Sequence, residues 1–102
     1  MASERNLALV FKALGDPTRL RILELLKAKG KSCCELVSKK EPGLCACDVE
    51  RAVGLSQAAV SYHLDWLKRA GLVSTEKRGR WVYYRRDEEA LASLARTLVN
   101  AV

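Results

Sequence analysis

The sequence predicts a mainly α fold with a β-hairpin (α+β). The architecture is a winged helix-turn-helix, in which three helices, a turn, a fourth helix, two strands and a last helix run in the order ααα(turn)αββα. Three observations predict it. Residues 55–71, LSQAAVSYHLDWLKRAG, read as one amphipathic helix with clean ends. Ser56 suits the N-cap because its hydroxyl can accept from a first-turn amide, and Gly71 can take the left-handed conformation that closes a helix. Val60, Leu64 and Leu67 recur at i, i+4 and i+7 as a single apolar stripe. Just upstream, Cys47-Asp48-Val49-Glu50-Arg51-Ala52-Val53 reads as a short helix ending at Gly54, so two helices meet over a tight Gly-containing turn. Just downstream, residues 72–75 and 81–84 are strand-like runs around Lys77-Arg78-Gly79-Arg80, a hairpin with a basic tip.

The elements follow in order. Residues 3–14 form a first helix with Leu7, Val10, Phe11 and Leu14 at helical spacing, closed by Gly15. Asp16 caps the second helix, and Pro17 occupies its first position, where a missing amide costs nothing. Leu20, Ile22, Leu23, Leu25 and Leu26 make that helix apolar on more than one side, so it is central to the core; Arg19 and Arg21 fall on its exposed flank. It ends near Lys29-Gly30. Residues 31–44 hold Cys33-Cys34, a short turn of helix at 34–37, a polar stretch and the turn Pro42-Gly43. The helix-turn-helix spans about 46–70 and the wing about 72–85. Asp87 caps a last helix, about 87–99, with an apolar stripe of Leu91, Leu94, Ala95 and Leu98. Glu88 and Glu89 in its first turn suit the helix dipole.

With 102 residues the chain is read as a single domain, 1–102. A chain this short buries roughly 60–65% of its unfolded surface, so pairing with a second copy helps it. The first and last helices carry more apolar surface than so small a core needs, and they are the expected homodimer interface. Hydrophobic residues at 49% and charged residues at 29% are ordinary for a globular domain and exclude a disordered chain. No signal peptide and no membrane span are visible, so the expectation is a cytoplasmic protein, without a membrane, whose four cysteines are thiols.

The net charge of +6 points to a polyanionic partner. Between residues 56 and 86, Lys68, Arg69, Lys77, Arg78, Arg80, Arg85 and Arg86 stand against Asp65 and Glu76, so five of the six net charges lie on the long helix and the hairpin. The face of that helix opposite the stripe carries Ala58, Ser61, Tyr62, Asp65 and Arg69. These are short or hydrogen-bonding side chains, of the kind that lets a helix lie in a DNA major groove. Double-stranded operator DNA is the expected partner. An enzyme built on a reactive thiol needs a nearby base, but the single histidine, His63, lies on the DNA-facing segment and no Gly-rich cofactor loop is present. A metal-buffering protein could use the same cysteines but has no need of a basic winged helix.

Several stretches resemble the ArsR/SmtB metal-responsive repressors, most of all the arsenic-responsive members. They are Phe11 through Leu23 (FKALGDPTRLRIL), Leu44-Cys45-Ala46-Cys47-Asp48, Leu55-Ser56-Gln57 through His63-Leu64, Leu67 with Ala70-Gly71-Leu72-Val73, and Gly79 through Tyr84. The resemblance covers nearly the whole chain. It implies a homodimeric repressor that leaves its operator when a metal or metalloid binds. Two departures narrow it. Members with a zinc site across the last helices use His and acidic ligands there; Asp87 alone cannot make that site. Arsenic-responsive members often carry a third cysteine one turn after the C-x-C pair, where this chain has Glu50.

The implied ligands are Cys45 and Cys47 with one of Cys33 or Cys34, or all four. All four lie within fifteen residues. A C-x-C pair at a helix start can aim both sulfurs at one ion, and the helix N-terminus favours the thiolate. Thiolate ligation selects soft ions. Three sulfurs in a pyramid suit As(III) or Sb(III); four in a tetrahedron suit Zn(II) or Cd(II), with Pb(II) a further candidate. A thiol redox switch is the other chemistry open to these residues. Because Cys45 and Cys47 begin the first helix of the DNA-binding pair, their capture would strain that helix and tilt the next.

Resemblance and helix geometry together select the DNA contacts. Gln57 either bonds an adenine edge or caps the helix, and Ala58 faces the groove. Ser61 meets a base or a phosphate, and Tyr62 stacks or donates to phosphate. His63 either packs at the edge of the stripe or contacts DNA. Arg78 and Arg80 reach phosphate or the minor groove. Ser56, Arg69 and Lys77 complete the set, while Trp66, Trp81 and Tyr83 pack rather than read.

Overall fold

A computed structural model describes residues 4–28 and 43–101. Two helices open it, α1 (Glu4–Leu14) and α2 (Pro17–Ala28). The turn between them is set by Asp16, whose Oδ1 accepts from the Thr18 amide at 2.8 Å, with Pro17 at the first helical position as expected. A two-residue strand, β1 (Leu44–Cys45), leads into α3 (Ala46–Val53). Gly54 then takes the left-handed conformation at φ 70° and closes α3. α4 (Gln57–Arg69) follows, with the Ser56 hydroxyl accepting from the Ala59 amide at 3.2 Å. Gly71, at φ 77°, turns the chain into β2 (Val73–Arg78), and β3 (Trp81–Arg86) returns across a two-residue turn that begins at Gly79. Asp87 caps α5 (Glu88–Ala101) through the Ala90 amide at 2.9 Å.

The core forms where the predicted stripes converge. Val60, Leu64 and Leu67 of α4 are buried against Ile22, Leu23 and Leu26 of α2, Val49 of α3 and Val10 of α1. α2 is central, as its composition predicts. Two of its residues depart from expectation. Leu20 is 52% exposed, and Arg19 is only 7% exposed. The first turn of α2 lies against α4, where Arg19 meets His63 and Trp66. Arg19, expected on the exposed flank, therefore points inward and finds polar partners there; Arg21 is exposed as read.

The hairpin is the second difference. Two strands are predicted, but the sheet has three, in the order β1-β3-β2, with Leu44 opposite Tyr84 and Cys45 opposite Tyr83. Two residues are too few to show an alternating pattern, so β1 is silent in the sequence. Its local requirement is Gly43, at φ 123°, where a Cβ would run into the Tyr84 carbonyl. Cys33, Cys34, the turn of helix expected at 34–37 and the end expected for α2 near residue 30 lie outside the described residues. Among the described residues, no helix is long and apolar enough to cross a membrane.

Candidate nucleic-acid interface and thiol cluster

α4 presents an uninterrupted outer face. Gln57, Ala58, Ser61, Tyr62, Asp65 and Arg69 are all exposed, opposite the buried stripe. Arg69 reaches back to Asp65 at 3.4 Å and lies over the Trp66 ring at 5.1 Å, which holds its charge at the end of that face. Ser56 is engaged as the N-cap, while Gln57 begins the helix exposed. His63 is half-buried at the edge, and its Nδ1 accepts from Arg19 Nε at 3.1 Å.

The wing tip is organised by one carboxylate. Glu76 receives Arg78 at 2.8 Å and Arg85 at 3.3 Å, so one carboxylate holds an arginine from each strand, one on either side of it. Lys77 and Arg80 are exposed, and the Arg80 guanidinium stands 5.6 Å over the Trp81 ring. Trp66 and Trp81 are half-buried and Tyr83 is buried, in keeping with packing roles.

The cysteines lie beside the outer edge of the same sheet, where β1 pairs with β3. Cys45 ends β1 and serves as N-cap of α3, with extended backbone at φ −86° and ψ 167°. Asp48, three residues on, accepts from the Cys45 amide at 3.1 Å and from its Sγ at 3.3 Å through Oδ2. Cys47 stands in the first turn of α3. One ligand atom each from Cys45, Cys47 and Asp48 lie within 4.8 Å of one another. Cys45 is 3% exposed and packs with Tyr83, and Cys47 and Trp81 close the small cluster. The thiols therefore touch the wing strand as well as α3. The structure brings Cys45 and Cys47 together.

Asp48 was missed as a member of this group. The signal available was an acidic side chain three residues after a helix-starting residue, the pattern of a capping box. The donor set fits a soft or borderline ion: two sulfurs that can be thiolate and one carboxylate.

A helix-turn-helix followed by a basic hairpin defines the winged helix-turn-helix class of transcriptional regulators. Comparison with known proteins narrows the class. The description "Bacterial regulatory protein, arsR family" matches residues 37–75. The uncharacterized HTH-type transcriptional regulator YbzH of Bacillus subtilis is 38% identical over 88 residues, covering 84% of this chain and 88% of that protein. The arsenical resistance operon repressor of Escherichia coli is 36% identical over 92 residues, covering 90% and 68%. A homolog of the cadmium resistance regulatory protein CadC from Staphylococcus aureus is 37% identical over 89 residues, covering 87% and 64%.

Among solved structures, an ArsR-like transcriptional regulator from Rhodococcus sp. RHA1 superposes with a TM-score of 0.72 at 34% identity, over 92% of this chain and 74% of that one. The homodimeric winged helix-turn-helix DNA-binding domain Mb0332 from Mycobacterium bovis gives 0.67 at 30% identity, over 97% and 86%. The chain belongs to the arsR family of bacterial regulatory proteins.

Proposed function

We propose that this chain is a homodimeric, cytoplasmic repressor whose α4 and wing grip operator DNA, and that it lets go when As(III) or Sb(III) binds Cys45, Cys47 and a third thiolate from Cys33 or Cys34. The observation that carries the reading is the position of the thiol pair, where the start of α3 meets the wing strand. Cys45 is in register with Tyr83, so a shift of Cys45 is passed to β3. Cys47 lies in the first turn of α3, which packs on α4 through Val49. A bound ion supplies metal–sulfur bonds in exchange for thiol protons. Cys45 then gives up its Sγ–Asp48 contact, and the N-cap geometry of α3 loosens with it. Each tenfold loss of DNA affinity requires only about 1.4 kcal/mol of coupling.

Gln57, Ala58, Ser61, Tyr62 and His63 are assigned to the groove, with Ser56 and Arg69 at the ends of the helix and Lys77, Arg78 and Arg80 on the backbone or minor groove. The homodimer is supported by an apolar groove of about 340 Å³ between α1, the end of α4 and α5, lined by Leu7, Val10, Leu72 and Leu94 among others. A second reading, Cd(II), Pb(II) or Zn(II), is favoured by the Asp48 carboxylate, a harder donor that suits these ions better than a trivalent metalloid. The similarity to a cadmium resistance regulator points the same way.

A gel shift on the DNA upstream of the chain's own gene tests the proposal, with arsenite, antimonite, Cd(II) and an oxidant added in turn. Release by arsenite that is lost in Cys45→Ser and Cys47→Ser is the expected result. Release by arsenite from a variant lacking all four cysteines would overturn the proposal.

A further inference from the structure

We propose that Arg19 is the positioning residue of the recognition helix: it sets how α4 sits on the body of the domain and which tautomer His63 adopts. The proposal rests on the DNA-binding reading above. Among the described residues, Arg19 is the buried charged side chain. Its Nε donates to His63 Nδ1 at 3.1 Å and its Nη1 donates to the Lys12 carbonyl at 3.0 Å. Its guanidinium carbon lies 4.8 Å from the centre of the Trp66 ring and 5.6 Å from that of Tyr62. The Tyr62 and His63 rings meet edge-on at 5.4 Å. One guanidinium plane therefore touches three side chains of α4 and the last turn of α1.

No carboxylate forms an ion pair with Arg19 among the described residues. Burying a guanidinium without a counter-ion is costly, and an apolar side chain of the same length would fill the space without that cost. What the guanidinium adds is geometry, with several donors in one rigid plane that lysine cannot imitate. Donation to Nδ1 leaves the proton of the neutral ring on Nε2, so His63 is held as a donor on its far side. Tyr62, exposed on the groove face, lies against the same guanidinium.

The chain contains one histidine, so nitrogen NMR reads His63 without ambiguity. The full chain is used to enrich a duplex from a random pool. Wild type, R19M and R19K are then compared on that duplex and on a scrambled one of equal length. The ring is examined at about pH 8, above the ordinary imidazole range. The expected wild-type signal is the Nε2–H tautomer, with both tautomers populated in the two variants. R19M is expected to keep its melting temperature and its affinity for the scrambled duplex, while its preference for the enriched duplex falls about tenfold, the effect of a lost specific contact.

A packing role alone would lower the affinity for both duplexes together, and that result overturns the proposal. So does a full duplex preference in both variants, or a mixed tautomer in the wild type. If R19M does not fold, R19K decides, because lysine keeps the charge and loses the planar fork. If the wild type enriches no duplex, the DNA-binding reading itself has failed, and this proposal falls with it.

Discussion

Tyr84 sits in the middle of the sheet, opposite Leu44 on one side and Thr75 on the other. Its phenol is pushed above the ordinary value of 10.0, first by burial and then by the negative charge of Asp65. The folded chain therefore holds this proton more tightly than the unfolded one. Below pH 10.0 both states are protonated at this site and its stabilisation is fully present. As pH rises from there through the folded value, the unfolded state ionises first and stability is lost. Tyr84→Phe removes that loss. Urea unfolding of the two proteins from about pH 8 to 11 should give a constant difference below the tyrosine range and a shift in favour of the variant above it. Parallel curves across the whole range would show that Tyr84 does not titrate differently on folding. Asp65→Asn should narrow the shift without abolishing it, because burial is the larger cause.

At the scale of elements, the wing is a charged arm whose charges are not equivalent. Arg78 is held by Glu76, whereas Lys77 is exposed at the tip. A phosphate contact made by a lysine releases counterions and shows as a slope of affinity against salt. Lys77→Ala should weaken binding to specific and scrambled duplexes alike and reduce the salt slope by about one for each protomer bound. An unchanged slope would remove Lys77 from the interface.

The helix-turn-helix and hairpin were legible in the sequence because their determinants are local. Ser56, Gly54 and Gly71 mark the ends of helices, and Val60, Leu64 and Leu67 define the buried side of α4 within its own residues. β1 was not legible, because it is a strand only by virtue of Tyr83 and Tyr84, some forty residues downstream. Arg19 misled for the same reason: its place is decided by His63 and Trp66, on another helix. In the thiol cluster, Cys45 and Cys47 are legible by their spacing, while Asp48 has the local context of an ordinary first-turn acid and only the fold shows its Oδ2 against Cys45.

At the scale of the whole molecule, α5 leaves apolar surface uncovered. Its predicted stripe divides. Leu91 and Leu94 pack on the core, whereas Leu98 remains exposed, and beyond it Val99 is 82% exposed. Phe11 of α1 is 44% exposed. A second copy of the chain, placed against α1 and α5, would cover this apolar surface, and the two recognition helices would then be fixed at the separation of two half-sites, about 34 Å. Val99→Asp puts a charge on that surface without touching Leu91 or Leu94, so the fold of each protomer should survive with unchanged circular dichroism. Sedimentation at micromolar concentration should show monomers where the wild type shows dimers. The melting temperature of the wild type should rise with protein concentration and that of the variant should not, because only the dimer is stabilised by mass action. Affinity for a two-half-site duplex should fall by more than tenfold, while affinity for a single half-site changes little, because the loss is one of linkage rather than of contact. A variant that remains a dimer would place the partner elsewhere than on the end of α5.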